Sequence, residues 1–211
     1  MEQLSTKKRI ILEALNLFAE KGYEAVSVAQ IAAAVGIKAP SLYKHYKSKQ
    51  DIFDAILTEM SERYDKQAAA MQMNGTEPER DVELFQRLNE EQLIEMGKSL
   101  FLYYLHDEYV AKFRKLLAME QYHNRELADQ YVKQYIDLPL SYQGAALGLL
   151  IGREKMLHMD PQTMALQFYG PMFLLLTLCD CHPEREEEAL QMIEHHIRQF
   201  SELNKMKGES I

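Results

Sequence analysis

Lys38, Ser41, Tyr43, Lys44, His45 and Lys47 crowd one short stretch of this 211-residue chain, and each side chain can donate hydrogen bonds. Donors of this kind suit phosphate oxygens and the edges of bases, so the chemistry they offer is recognition of nucleic acid, not bond breaking. A helix must present them. Pro40 suits a first helical turn, where a missing N–H costs nothing, and Leu42 and Tyr46 at i and i+4 give the opposite side a small apolar face. We expect this helix over residues 40–46.

A second helix should precede it. Ser27 offers an N-cap hydroxyl, Gln30 follows as its capping-box partner, and Val28, Ile31, Ala32 and Val35 recur along one face. Gly36 tolerates the left-handed conformation that a tight turn between helices needs, and Ile37 can plug the angle. Two helices about such a turn form a helix-turn-helix. Any solvated helix can carry lysines, so a basic face alone says little; here the cap, the turn and the polar face coincide. Residues 1–50 hold eight Lys/Arg against four Asp/Glu, a net of +4, whereas the whole chain is −8, so residues 51–211 carry −12. A positive module on an acidic body concentrates attraction to the duplex in one place.

Three segments resemble the TetR family of transcriptional regulators: LFAEKGYEAVSV from Leu17 to Val28, IAAAVGI from Ile31 to Ile37 and PSLYKHYKSKQDIF from Pro40 to Phe53. They cover about the first quarter of the chain. Farther on, LQFYGPMFLLLTL and HHIRQF are similar to a C-terminal domain of some members. The resemblance implies an all-α fold, with an N-terminal three-helix helix-turn-helix DNA-binding domain and a C-terminal helical ligand-binding and dimerisation domain. It implies a homodimer whose last two long helices pair with their twins, and a small-molecule pocket in the body. Two recognition helices would then enter successive major grooves about 34–36 Å apart on a palindrome of double-stranded DNA. The candidates for base edges are Lys38, Ala39 and Lys44, and those for phosphates are Ser27, Ser41, Tyr43, His45, Lys47 and Lys49.

We divide the chain into a DNA-binding domain, 1–50, and a ligand-binding and dimerisation domain, 51–211. The rest reads as helix. Ser5 can cap a first helix with Ile11, Ala14, Leu15 and Phe18 inward and Gly22 at its end; Ser48, with Asp51, caps a long one running toward Met71. The Asn-Gly and Pro of residues 73–81 mark a loop, followed by helices near 82–88, 90–105, 109–122, 126–136, 138–158 and 160–180, and by a last one opened by Pro183. The tail 205–211 reads as disordered.

Phe101, Tyr104, Phe113, Met119, Tyr122, Tyr135, Tyr142, Phe168 and Met172 are the candidate ligand-binding residues. Most such residues are simply core; yet buried tyrosines need hydroxyl partners, so many together favour a cavity for an aromatic or apolar effector. Gly144, Gly148 and Gly152 line one helical face. Interior glycine costs up to about 1 kcal/mol against alanine, so close helix approach should compensate, either at the dimer interface or within one subunit.

Other chemistries find less support. Cys179 and Cys181, two residues apart, are neither a secretory disulfide framework nor a complete zinc set, although a thiol- or metal-responsive regulator of the same architecture is one alternative. A helical small-molecule-binding module without DNA recognition is another. No Gly-rich phosphate loop, nucleophile elbow or His-Glu-x-x-His pair occurs, and we expect no enzyme activity and no cofactor. The longest apolar runs, 144–152 and 171–179, are too short to span a bilayer, and the start lacks a signal core; a cytoplasmic protein without membrane contact is expected.

Overall fold

The computed structural model describes residues 4–204, so the tail 205–211 lies outside the described residues. The described chain is all-α: α1 Thr6–Lys21, α2 Val28–Val35, α3 Ala39–Leu42, α4 Lys49–Ala70, α5 Pro78–Arg87, α6 Glu90–His106, α7 Glu108–Glu120, α8 Arg125–Val132, α9 Leu138–Gly152, α10 Pro161–Cys181 and α11 Glu186–Asn204. Caps read from the sequence form. Ser5 accepts from Lys8 N–H, and Ser48 Oγ and Asp51 bond reciprocally at the start of α4.

Several boundaries differ from expectation for local reasons. The short helix expected from 82 begins at Pro78, with Glu79 and Asp81 in its first turn, where acidic groups favour the helix dipole. The helix expected to run to 158 stops at Gly152, because Glu154 turns left-handed and the N–H groups of Arg153 and Lys155 fold back on Leu149 and Leu150 carbonyls. Pro183 opens a 3-10 turn that precedes α11.

Pro139 interrupts nothing. A π-helical segment, Lys133–Asp137, carries α8 into α9. In an unbroken α-helix the Tyr135 carbonyl would take the N–H of residue 139, which proline lacks. The Tyr169 hydroxyl donates to that carbonyl instead, at 2.8 Å.

The chain divides into two compact units. One comprises the residues up to Tyr64 together with Glu108–Val132; the other comprises Asp65–Asp107 and the residues from Lys133 onward. This differs from a division after residue 50, because α7 packs on α1 and buries Val110, Phe113, Leu116 and Leu117 within the first unit. There Phe18, Tyr23, Phe53 and Phe113 form a run of rings with centroids 5.0, 5.4 and 6.3 Å apart.

In the second unit α9 packs on α5 and α10, and α11 on α6 and α10. Ile94, Phe101, Leu175, Cys179, Ile193 and Ile197 share one cluster; Leu147, Ile151, Met164 and Phe200 share another. Buried Asp81 is satisfied three times, accepting from Asn74 N–H at 2.6 Å, Gly75 N–H at 2.8 Å and the Tyr142 hydroxyl at 2.6 Å. Contrary to the sequence estimate, α10 with its 21 residues is long and apolar enough to cross a membrane, because its apolar positions continue on both sides of Gly170-Pro171. Leu166 and Leu174 on it are 59% and 68% exposed.

Tyr169→Phe should cost about 1–3 kcal/mol by leaving the Tyr135 carbonyl without this donor. Urea unfolding checks this, and a change below a few tenths would mean that the π segment satisfies itself.

Candidate nucleic-acid interface

The helix-turn-helix closes as its residues dictate. Ser27 Oγ accepts from Gln30 N–H at 3.3 Å while Gln30 Oε1 accepts from Ser27 N–H at 2.7 Å, which completes the capping box of α2. Gly36 ends α2 at φ 77°, ψ 30°, the left-handed conformation that costs a β-carbon-bearing residue free energy. Ile37 N–H then returns to the Ala32 carbonyl at 2.9 Å.

The recognition helix is shorter than expected and starts one residue earlier. Lys38 is its N-cap, Ala39 its first residue and Pro40 its second, and after Leu42 the chain continues through turns in which Lys44 N–H bonds Ser41 and His45 N–H bonds Leu42. Leu42 and Tyr46 are buried as their spacing requires. Lys38, Tyr43, Lys44, His45 and Lys47 are exposed, and Ala39 and Ser41 are half-buried beside them.

Two candidate phosphate ligands are otherwise engaged. Lys49 Nζ bonds the Tyr23 carbonyl at 2.9 Å, pairs with Glu24 at 3.6 Å and lies 4.3 Å from the centre of the Tyr23 ring. In this structure its ammonium holds the loop between α1 and α2, and it would have to leave these partners to reach a phosphate. Ser27 is exposed but commits its hydroxyl to Gln30, at 3.0 Å.

The structure adds residues that the sequence reading passed over. Lys7 Nζ lies 5.5 Å from the Tyr46 ring centre, and Arg9 bonds the Val35 carbonyl at 2.5 Å, so the basic start of α1 packs against the helix-turn-helix. The run Lys7, Lys8, Arg9 signalled this. No local signal marked Glu120 on α7: its buried carboxylate accepts Tyr23 N–H at 2.8 Å, and an added β-carbon at Gly22, φ 84°, would sit 2.8 Å from it. The Tyr23 hydroxyl donates to Gln50 at 3.0 Å, and burial above all, with the charges of Glu24, Asp54 and Glu126, pushes its pKa up to about 12.

The candidate ligand residues do not form one set. Phe101 and Met172 are buried in one cluster of the second unit, with Tyr104 and Phe168 half-buried against it. Tyr135 is buried, and the Tyr142 hydroxyl is taken by Asp81. Phe113 belongs to the first unit's core. Met119, 48% exposed, and Tyr122, 82% exposed, lie on that unit's surface and enclose nothing; they face outward where α7 turns toward α8. With Tyr142 committed to Asp81 and Tyr122 on the surface, the number of tyrosines alone does not make a cavity.

The glycine seam is also used within the chain. A β-carbon on Gly144 would collide with the Gln162 side chain, Gly148 meets Pro161 at 3.6 Å, and Gly152 faces open space. Close approach of α9 to the start of α10 accounts for Gly144 without a second copy. Cys179 is buried, Cys181 is exposed, neither is in a disulfide, and among the described residues no three His, Cys, Asp or Glu side chains converge as a metal set.

Comparison with known proteins agrees with this architecture. Residues 10–56 match the family model described as bacterial regulatory proteins, tetR family. Over 48 residues the chain is 46% identical to the biofilm operon icaADBC negative transcriptional regulator IcaR of Staphylococcus aureus; this is 23% of the chain and 26% of IcaR, so the match spans about a quarter of that relative. Over nearly the whole chain the fold resembles solved structures. One is a TetR-family regulator from Mesorhizobium loti, at TM-score 0.70 and 18% identity, covering 95% of this chain and 97% of that one. Another is SmeT bound to triclosan, at TM-score 0.69 and 18% identity, covering 99% and 95%; SmeT is the repressor of the Stenotrophomonas maltophilia multidrug efflux pump SmeDEF. The start of the chain thus carries a helix-turn-helix of the tetR family of bacterial regulatory proteins, and the fold of the chain as a whole resembles that of solved TetR-family regulators.

Proposed function

We propose that this protein is a homodimeric, ligand-responsive transcriptional repressor of the cytoplasm, acting by binding and not by catalysis. The observation that carries the reading is the exposed row Lys38, Tyr43, Lys44, His45 and Lys47, set on a glycine-turned helix-turn-helix whose Leu42 and Tyr46 face inward. Lys38, Ala39 and Lys44 reach base edges, and Ser41, Tyr43, His45 and Lys47, joined by Lys7 and Lys8, hold phosphates. Two copies place two such rows on a palindromic operator.

A second copy is called for by the apolar side chains that α10 and α11 leave exposed, Leu166 and Leu174 on the first and Met192 and Leu203 on the second. Such surface on long helices favours burial against another protein surface. Small-molecule response is argued from SmeT, solved with triclosan, and from the aromatic cluster of the second unit, where Phe101, Tyr104, Phe168 and Met172 meet. An aromatic or apolar effector bound there would disfavour DNA to the extent that it prefers one conformation.

Fluorescence anisotropy on the DNA upstream of its own gene tests the reading, and no binding there would leave a helical module without DNA recognition. Lys44→Ala should weaken binding and lower the slope of log affinity on log salt by about one, whereas Lys49→Ala should leave the slope unchanged and lower stability. Leu174→Glu should yield monomers in analytical ultracentrifugation and weaken operator binding more than tenfold, roughly the loss expected when two half-sites no longer bind together. A wild-type protein that is monomeric at micromolar concentration would sink the dimer.

A further inference from the structure

The inner side of α9 carries a polar atom that no described residue answers. Two faces of α9 are fixed by their contacts. Tyr142 donates to Asp81 of α5, and Arg153, at the helix end, donates to Gln86 of α5, while Gly144 and Gly148 lie against Gln162 and Pro161 at the start of α10. Ser141, Ala145 and Gly152 are exposed on a third face. Gln143, with Leu147 and Leu150 following at i+4 and i+7, takes the remaining side, between α5 and α10 within the second unit. Gln143 Oε1 is buried there and accepts no hydrogen bond from the described residues.

The other side chains on this side are hydrocarbon. Leu147 belongs to the buried cluster of Ile151 and Phe200, and Leu150, Met156 and Phe168 pack half-buried against it. Phe168 also packs against the cluster that holds Phe101 and Met172, so its ring is common to both. An amide oxygen withdrawn from water needs a donor, and apolar neighbours offer none. A molecule with an uncharged O–H or N–H on an apolar body answers both: the donor serves Oε1, and the body lies along Leu147, Leu150 and Phe168. An anion brings only acceptors to an acceptor. Met156 is the adaptable side chain that yields the space; its loop bonds the end of α11 through Leu157 N–H and the Asn204 carbonyl at 2.9 Å.

We propose that Gln143 anchors the effector of this protein, and that the effector is an uncharged hydrogen-bond donor on an apolar or aromatic body, such as a phenol. The effect on DNA rests on the ligand-responsive reading above; the binding of a donor at Gln143 does not.

Calorimetric titration of the full-length protein with 4-ethylphenol, 4-ethylanisole and 4-ethylbenzoate compares a donor, its methyl ether and an anion on one body. The phenol should saturate at millimolar or lower concentration and bind at least about tenfold more tightly than the ether, with the benzoate not binding. Gln143→Met keeps the length of the side chain and removes the amide. It should lose the preference for the phenol and unfold at the same or a higher urea concentration than the wild type, because a stranded acceptor has gone. Equal binding of phenol and ether by the wild type, binding of neither, or an undiminished preference in the variant overturns the anchor. So does a less stable variant, since the amide would then have a partner within the protein. The wild-type comparison decides even where the variant does not fold. In anisotropy the phenol should shift operator affinity of the wild type and not of the variant at the same concentration. Saturable binding that leaves DNA affinity unchanged overturns the effector role. Failure of the ligand-free protein to bind DNA strikes the proposed function, and the calorimetric arm still decides the site.

Discussion

Everything that positions the helix-turn-helix depends on how the buried connection around Tyr23 is satisfied. Its backbone N–H has no helical partner and is withdrawn from water, so it must find an acceptor or cost about 1–3 kcal/mol. Glu120 of α7 supplies a charged one, Lys49 of α4 answers the carbonyl and Gln50 answers the hydroxyl. The same residue places its ring between Phe18 and Phe53. One residue thus joins α1, α4 and α7, and the glycine before it is required because any side chain there would meet both the carboxylate and an unfavourable φ.

This arrangement explains why the compact unit is larger than the DNA-binding motif. α7 is distant in sequence, yet Lys112 donates to Asn16 at 2.7 Å, Asn124 donates to Glu24 at 3.3 Å, and Glu120 accepts from the Tyr23 N–H. Buried polar groups bonded in this way resist piecemeal displacement, since freeing one strands its partner. Movement of α7 or of the start of α4 is therefore felt at the connection between α1 and α2. The recognition row follows from there.

In the second unit tyrosine does the corresponding work. Tyr169 serves a carbonyl that Pro139 has deprived of its helical donor, and Tyr142 shares Asp81 with two backbone N–H groups of the loop before α5. Sequence reasoning saw the tyrosines and inferred a cavity from their number. The hydroxyls of Tyr142 and Tyr169 are instead committed to a carboxylate and a backbone carbonyl, and Phe101, Tyr104, Phe168 and Met172 are what remain together.

The helices and the motif were legible in the amino-acid sequence because their causes are local. Ser27 with Gln30, Gly36, Ser48 with Asp51 and the apolar positions of α1 and α2 act over three or four residues, which is the range of a capping bond or a helical turn. The exposure of Lys38, Tyr43, Lys44 and His45 follows from the same periodicity. What only the tertiary structure decided are the pairings across long separations: Lys49 turned onto Tyr23 and Glu24, Glu120 beneath Gly22, and Gly144 against Gln162. Each depends on which helix face meets which, and periodicity fixes the face of a helix without naming its neighbour.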